Sequence, residues 1–410
     1  MRISNFILGE TKIFVIAEIG NNHNGSLGLA LEMVDAAYDA GANCVKFQMR
    51  NMSSVYRKKS LSKQGEDLGT EYVLDLLERF QLSQSEHKQV AQYCEEKGIL
   101  YMCTPWDSDS ILALETLDVK AYKVASADLT NLPLIANLIA TKKPLILSTG
   151  MSSVDEIQIT TDFLNSRSAE FVLLHCNSTY PAPFHDINLN WIKKLKDIHP
   201  LVGYSGHERG IAVTLAAVGL GAKVVERHFT FDRNMEGPDH AASLEQDEFK
   251  ALVSGIREIE EAMGDGLERT ISQGEMINRE NLAKSLVASQ DIVKGTVIEP
   301  QHLSVLSPGQ GLSAQNYEKL LGRIVQRDML EEEYFYTSDL RDTRVEPKSY
   351  KFNRPWGVPV RYHDFVEYNS KISPDVFEFH LSYLDLDLNI EEFLTGKYEC
   401  GFVVHAPELF

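Results

Sequence analysis

The sequence predicts an α/β fold: a (β/α)8 TIM barrel, followed by a small, mostly β module and a C-terminal extension. Three observations predict it. Eight short apolar runs between residues 12 and 229 alternate with helix-patterned segments, as parallel strands joined by crossover helices do. Polar and ionisable residues gather where those runs end, and in such a barrel chemistry collects at one rim. After residue 265 the texture turns polar, then breaks into short β-type runs punctuated by Gly and Pro.

The elements follow in order. "KIFVIAEI" (12–19) reads as a strand ending in Glu18, with Asn21, Asn22 and His23 just beyond. "SLGLALEMVDAAYDAG" (26–41) reads as a helix, with Leu29, Met33, Ala36, Ala37 and Ala40 at helical spacing and Gly41 closing it. "CVKFQM" (44–49) carries Lys46 and Gln48, and "ILYMCT" (99–104) runs into Thr104. "KAYKVAS" (120–126) holds Lys123 and Ser126, and "PLILST" (144–149) ends in Ser148 and Thr149. "EFVLLHC" (170–176) leads to His175, Asn177 and Ser178. "LVGYS" (201–205) gives Ser205 and His207, and "AKVVERHF" (222–229) gives Glu226 and His228. Side chains alternate across a strand, so Lys46 and Gln48 share a face, as do Ser205 and His207, and Glu226 and His228. Arg227 has the opposite parity and is expected to pair behind the barrel wall. A doubly wound sheet is the alternative, but it usually uses fewer strands, and the dinucleotide glycine fingerprint is missing.

The barrel is expected to span residues 1–265. A polar linker with some helix covers 266–284, the mostly β module 285–343, and the extension 344–410. In the extension, "VFEFHLSYL" and "CGFVVHAPELF" read as strands running into His380 and His405.

Composition limits the function. The chain has 410 residues, 43% hydrophobic and 24% charged, a soluble globular balance. A net charge of -19 repels nucleic acid and anionic membranes, so an anionic substrate needs a locally basic pocket. The sequence holds neither an apolar run of membrane-spanning length nor a recognisable signal peptide. Five scattered cysteines (44, 94, 103, 176 and 400) fit a reducing cytoplasm rather than a disulfide framework or zinc finger.

His207 and His228, at the ends of consecutive strands, can share one divalent ion and leave positions open; manganese, magnesium or iron suits such a site. The bland alternative is two polar residues closing strands. Lys46 and Lys123 can cradle phosphate and carboxylate, with Thr104, Ser126, Ser148 and Ser205 as hydroxyl donors. Alternatively one lysine pairs with Glu18, or Lys123 forms a Schiff base. "STGMSSVDEI" reads as a loop feeding a helix N-terminus that favours anions. Glu18 is a general base or a counter-ion. Asp239, in "GPDHAASLE", can bind sugar hydroxyls or simply form a turn. Cys176, next to His175 and so on the opposite face, reads as a packed, inert thiol.

Together "IAEIGNNHNG", "VKFQ", "KVASADLTNLPL", "LSTGM", "HCNSTYPAP", "GYSGHERG" and "VERHFT" with "GPDHAASLE" resemble the sialic acid synthase family over about residues 10 to 340. The resemblance implies condensation of phosphoenolpyruvate with an N-acylated amino sugar by neuraminic, legionaminic or pseudaminic acid synthases. It implies that His207 and His228 bind the metal, manganese by expectation, and that Glu18 is catalytic. It places Lys46, Thr104, Lys123, Ser126, Ser148, Ser178 and Ser205 around phosphoenolpyruvate, and Gln48, Tyr180 and Asp239 at the sugar. The β module resembles the antifreeze-like SAF domain, implying a homodimer in which each SAF domain caps its partner's site. Two positions depart from the pattern: Ser178 stands where asparagine is common, and Ser307 where an arginine is, which leaves the sugar open. "FVVHAP" in the last residues resembles the opening of a sugar-phosphate isomerase barrel, so the extension reads as the truncated start of a second domain or as a short accessory tail. The rivals to the synthase reading are a Schiff-base pyruvate aldolase using Lys123 and a non-catalytic sugar-binding protein.

Overall fold

Strand β10 (Val224–His228) pairs with β3 (Phe14–Gly20), and that one pairing turns a row of parallel strands into a closed barrel. A doubly wound sheet has two free edges, so this seam excludes it. The structure is a computed structural model. It describes residues 1–10, 12–56, 70–264, 266–341, 351–382, 385, 389, 396 and 398–405. The chain forms two compact units, Met1–Glu268 and Arg269–Phe410.

In the first unit all eight staves close one barrel, and neighbours around it follow chain order. The remaining staves are β4 (Cys44–Met49), β5 (Leu100–Pro105), β6 (Tyr122–Val124), β7 (Leu145–Ser148), β8 (Phe171–Cys176) and β9 (Val202–Gly206). Every pairing among the eight is parallel. Two hydrophobic clusters divide by strand parity. Val15, Ala17, Val45, Phe47, Tyr122, Leu145, Leu173 and Val225 face outward to the helices. Phe14, Ile16, Cys44, Met102, Ile146, Val172, Leu174 and Val224 fill the interior. A two-stranded hairpin, β1 (Arg2–Ile3) with β2 (Phe6–Ile7), adds Ile3 and Leu8 to this interior cluster and plugs its N-terminal end. Gly203 makes the tight packing possible: a Cβ there would lie 2.4 Å from both Leu174 Cδ2 and the Val224 carbonyl oxygen. The interior is therefore apolar below, and polar where the strands end.

Arg227 does turn outward. It is fully buried, 2.8 Å from Glu208, and also donates to the Gly210 carbonyl and to Thr214. Tyr204 donates to the other Glu208 oxygen at 2.8 Å.

In the second unit the helix Gln273–Leu282 starts at a Ser272/Glu275 capping box. β11 (Ser285–Ala288) pairs antiparallel with β12 (Leu303–Leu306) over a core that includes Leu286, Ile292, Ile298, Leu320 and Phe335. Regular strands are few there; much of the remaining pairing is isolated bridges. The extension holds a three-stranded parallel sheet of β13 (Gly357–Val360), β14 (Val376–His380) and β15 (Gly401–His405). β14 and β15 are the two strands expected from sequence. Residues 342–350 and 406–410 lie outside the described residues. All five cysteines are free. Among the described residues, no helix is long and apolar enough to cross a membrane.

Candidate active site

The inward face of each barrel strand changes character toward its end. On β3 it reads Phe14, Ile16, Glu18; on β4 Cys44, Lys46, Gln48; on β10 Val224, Glu226, His228. The apolar residues come first, so the charged ones are stacked above them in a cavity of about 260 Å³. Glu18, Lys46, Gln48, Thr104, Lys123, Ser126, Ser148, Ser178, Tyr180, Ser205, His207 and His228 all line it. Asp239 borders it, 3.8 Å from His228 Nδ1.

Charge in this cavity is balanced within about 4 Å. Lys46 Nζ lies 2.7 Å from Glu18 and 3.7 Å from Glu226, and donates to Thr104 at 3.1 Å. Lys123 Nζ lies 3.8 Å from Glu226 and donates to Ser148 at 2.7 Å. Ser205 donates to Glu226 at 3.1 Å. Burial pushes Glu18 up to about 7 against the pull of Lys46. Burial would raise Glu226 as well, but Lys123 and Lys46 outweigh it and hold that carboxyl low. Burial opposes the charge on Lys46, yet Glu18 and Glu226 hold its pKa above the usual value. Burial draws Lys123 below the usual value. Where Glu18 is ionised, the two lysines are thus balanced by two glutamates, and an anion needs further positive charge to settle there.

The two histidines suit a cation that would supply it. Their ring centroids are 5.2 Å apart. His207 Nδ1 lies 2.6 Å from the Asn177 carbonyl; donating there leaves Nε2 as the position for a cation. Burial opposes charge on this ring, but Cys176 and the Asn177 carbonyl hold its pKa above the usual value, so a cation would displace a proton from it. His228 Nδ1 is buried without a hydrogen-bond partner. Burial and neighbouring cations hold His228 well below its usual pKa, and neutral imidazole is the form that ligates.

The hydroxyls converge around a glycine. A Cβ on Gly150 would lie 2.2 Å from Ser178 Oγ and 2.8 Å from Ser126 Oγ, so the glycine keeps that corner open. Tyr180 stacks on His207 at 4.0 Å and meets His228 edge-on at 5.6 Å.

Three expectations need correction. His175 points out of the barrel, with Nε2 2.6 Å from the Ile187 carbonyl. Cys176 therefore points in. Its sulfur lies 3.6 Å from Ser126 and 3.8 Å from His207 Nδ1. Burial alone would raise this thiol, but a charged His207 outweighs it and brings the pKa down to about 7. The thiol lines the cavity rather than packing behind the barrel wall. The helix Val154–Asn165 does not offer its N-terminus to an anion. Glu156 accepts from Ser153 N at 2.7 Å in a capping box, which places the helix's own carboxylate there.

Sequence reasoning missed Arg50 and Trp106. Trp106 lines the cavity. Arg50, two residues past Gln48, is buried, contacts the Gln48 side-chain oxygen, and lies 4.7 Å over the Trp106 ring. Strand parity would have found it, since it continues the Lys46, Gln48 face.

Comparison with known proteins gives the family. Residues 33–268 match the NeuB family and residues 283–341 the SAF domain. The N,N'-diacetyllegionaminic acid synthase of Campylobacter jejuni is 41% identical over 329 residues, 78% of this chain and 98% of that one. The N-acetylneuraminate-9-phosphate synthase of Homo sapiens is 34% identical over 323 residues, 77% of this chain and 89% of that one. The crystal structure of an N-acetylneuraminic acid synthetase from Leptospira borgpetersenii, in complex with citrate, matches with a TM-score of 0.61 at 34% identity. It covers 68% of this chain and 95% of that one. The chain belongs to the NeuB family: it is a sugar-acid synthase whose barrel is followed in sequence by a SAF domain.

Proposed function

We propose that the enzyme condenses phosphoenolpyruvate with the open-chain aldehyde of an N-acylated amino hexose, giving a nine-carbon 2-keto-3-deoxy sugar acid and phosphate. The observation that carries this is the convergence of Lys46, Lys123, Glu18, Glu226, His207 and His228 on one cavity. Lysines, hydroxyls and a cation site together fit a small, multiply anionic substrate. The relatives' names supply the sugar class.

His207 and His228 would hold a divalent cation, with manganese expected and magnesium as the alternative. When bound, such an ion polarises an aldehyde oxygen and adds the positive charge that the paired lysines lack. The chain's own residues do the rest. Gln48, Tyr180 and Asp239 orient the sugar. Lys46 and Lys123, with Thr104, Ser126, Ser148, Ser178 and Ser205, hold the phosphate and carboxylate. The methylene carbon attacks the aldehyde carbon with the alkene electron pair, and the aldehyde oxygen takes up a proton from solvent water. Water adds at the cationic carbon bearing the phosphate and gives a proton to Glu18, whose pKa near 7 suits a base at neutral pH. The tetrahedral intermediate collapses to the ketone: the C–O bond to phosphate breaks, its electron pair leaves on the phosphate oxygen, and the hydroxyl proton of the intermediate passes to that phosphate. Placing both reactants in one cavity supplies much of the acceleration.

Oxygen labelling tests the route. An isotope in the bridging oxygen of phosphoenolpyruvate leaves with phosphate; label retained in the keto acid overturns it. The Schiff-base reading keeps one observation, the lowered pKa of buried Lys123; borohydride trapping of pyruvate on Lys123 would favour it. The reading extends to a cytoplasmic homodimer with each SAF domain capping the partner's site. Exposed Tyr180 and Met151 at the mouth and the free cysteines support it, and light scattering tests the dimer.

A further inference from the structure

Outside the barrel, three metal-ligating side chains meet on the C-terminal sheet. The faces of this sheet differ. Phe377 and Phe379 turn to one side and pack on Phe365 of the helix Phe365–Lys371, at ring separations of 5.2 and 5.3 Å. Glu378 and His380 have the opposite parity and share the other face. β15 pairs with β14 in the register His380↔His405, so the two histidines stand side by side at the strand ends.

Their contacts are close. Glu378 Oε1 lies 3.0 Å from His405 Nδ1 and 3.5 Å from His380 Nε2. The imidazoles are 4.7 Å apart, inclined by 24°. One ligand atom from each residue lies within 4.8 Å of the other two. Arg361 donates to the His380 carbonyl at 3.0 Å, which ties down that strand end.

The arrangement has little to offer as a stabilising contact. The side chains are 39%, 42% and 48% exposed, and an exposed pair of this kind contributes little. It does match the spacing of a coordination sphere. Ligands at 2.0–2.1 Å around a tetrahedral ion stand about 3.3 Å from one another, and the two carboxylate contacts fall on either side of that value. Small rotations of the rings would bring the third pair into range.

We propose that Glu378, His380 and His405 form a second metal centre, for one divalent transition ion such as zinc or cobalt. Two imidazoles and one carboxylate make a set with open positions left for water or a small oxygen ligand. The cation would replace the present Glu378–His405 hydrogen bond.

The test uses the full chain without an affinity tag, stripped of metal by a chelator and dialysed against Zn2+ or Co2+. Metal content is measured for the wild type and for H380Q/H405Q, which keeps side-chain bulk and polarity. A loss of about one ion per chain, together with loss of a nitrogen-ligand band in the Co2+ visible spectrum, is the expected result. Equal content and an unchanged spectrum overturn the proposal. H207A/H228A, measured in parallel, reports on the barrel separately: its content falls if the barrel pair binds metal and holds if it does not, and neither result alters the H380Q/H405Q difference.

Discussion

The barrel mouth and the C-terminal sheet use one device with different results. In each, parallel strands bring two histidines side by side at their ends, with ring centroids 5.2 Å apart in the barrel and 4.7 Å in the sheet. In the barrel both rings are 4% exposed and sit among two lysines and two glutamates. In the sheet they are 42% and 48% exposed and meet one glutamate. Strand parity alone aligns the ligands; closure of the sheet decides how far their surroundings are buried. In the buried set Glu18 is held at about 7, which fits the proposed acid–base role; the open set is proposed only to hold an ion.

The largest test of that contrast is removal of a barrel histidine. H228A should lower phosphate release from phosphoenolpyruvate by about 1000-fold or more, the loss of several kcal/mol of charge stabilisation, while circular dichroism stays unchanged. Near-normal turnover would break the comparison at its root. E18Q comes next, with a loss on the order of 100-fold or more. In the wild type kcat/KM should climb as pH rises through about 7, because burial holds Glu18 protonated below that point; the limb should vanish in E18Q. A limb surviving in E18Q would move the base elsewhere.

Stability sharpens the contrast further. Arg227 and Glu208 are fully buried in the barrel wall, so R227M alone should cost about 3–5 kcal/mol in urea unfolding by leaving a buried charge unpaired. His23, His87 and His240 come next. Burial holds each at about 4, against about 6.5 in the unfolded chain. The unfolded state then binds more protons between those values, so their contribution is intact above pH 6.5 and is lost as pH falls toward 4. Urea midpoints should fall across that window, and less steeply in H87Q. The smallest effect belongs to the open sheet: E378Q should leave the urea midpoint essentially unchanged without metal.

How much of this was legible follows from what each pattern encodes. The eight strands could be read because apolar runs alternate with helical spacing, and the site because lysine, glutamate and histidine are costly inside such runs. Parity on β8 could not be read. Both faces of a barrel strand are buried, so "FVLLHC" gives no sign of which side is in, and His175 and Cys176 were exchanged. β1 and β2 are two residues each, too short for any periodicity. β13 contains Pro359, which argues against a strand unless that position is free of ladder donation. The balanced charge among Lys46, Lys123, Glu18 and Glu226 needed coordinates, because it arises from four different strands.

The seam between β3 and β10 joins residue 14 to residue 224 and aligns Glu18 with His228. A nascent chain has made seven staves before the eighth leaves the ribosome, and until then the first and the seventh each carry an unpaired edge. The proposed base and one proposed metal ligand come together only when that seam zips shut. An unfinished or mis-registered cylinder therefore has no competent site, and catalysis begins only once folding has gone to completion.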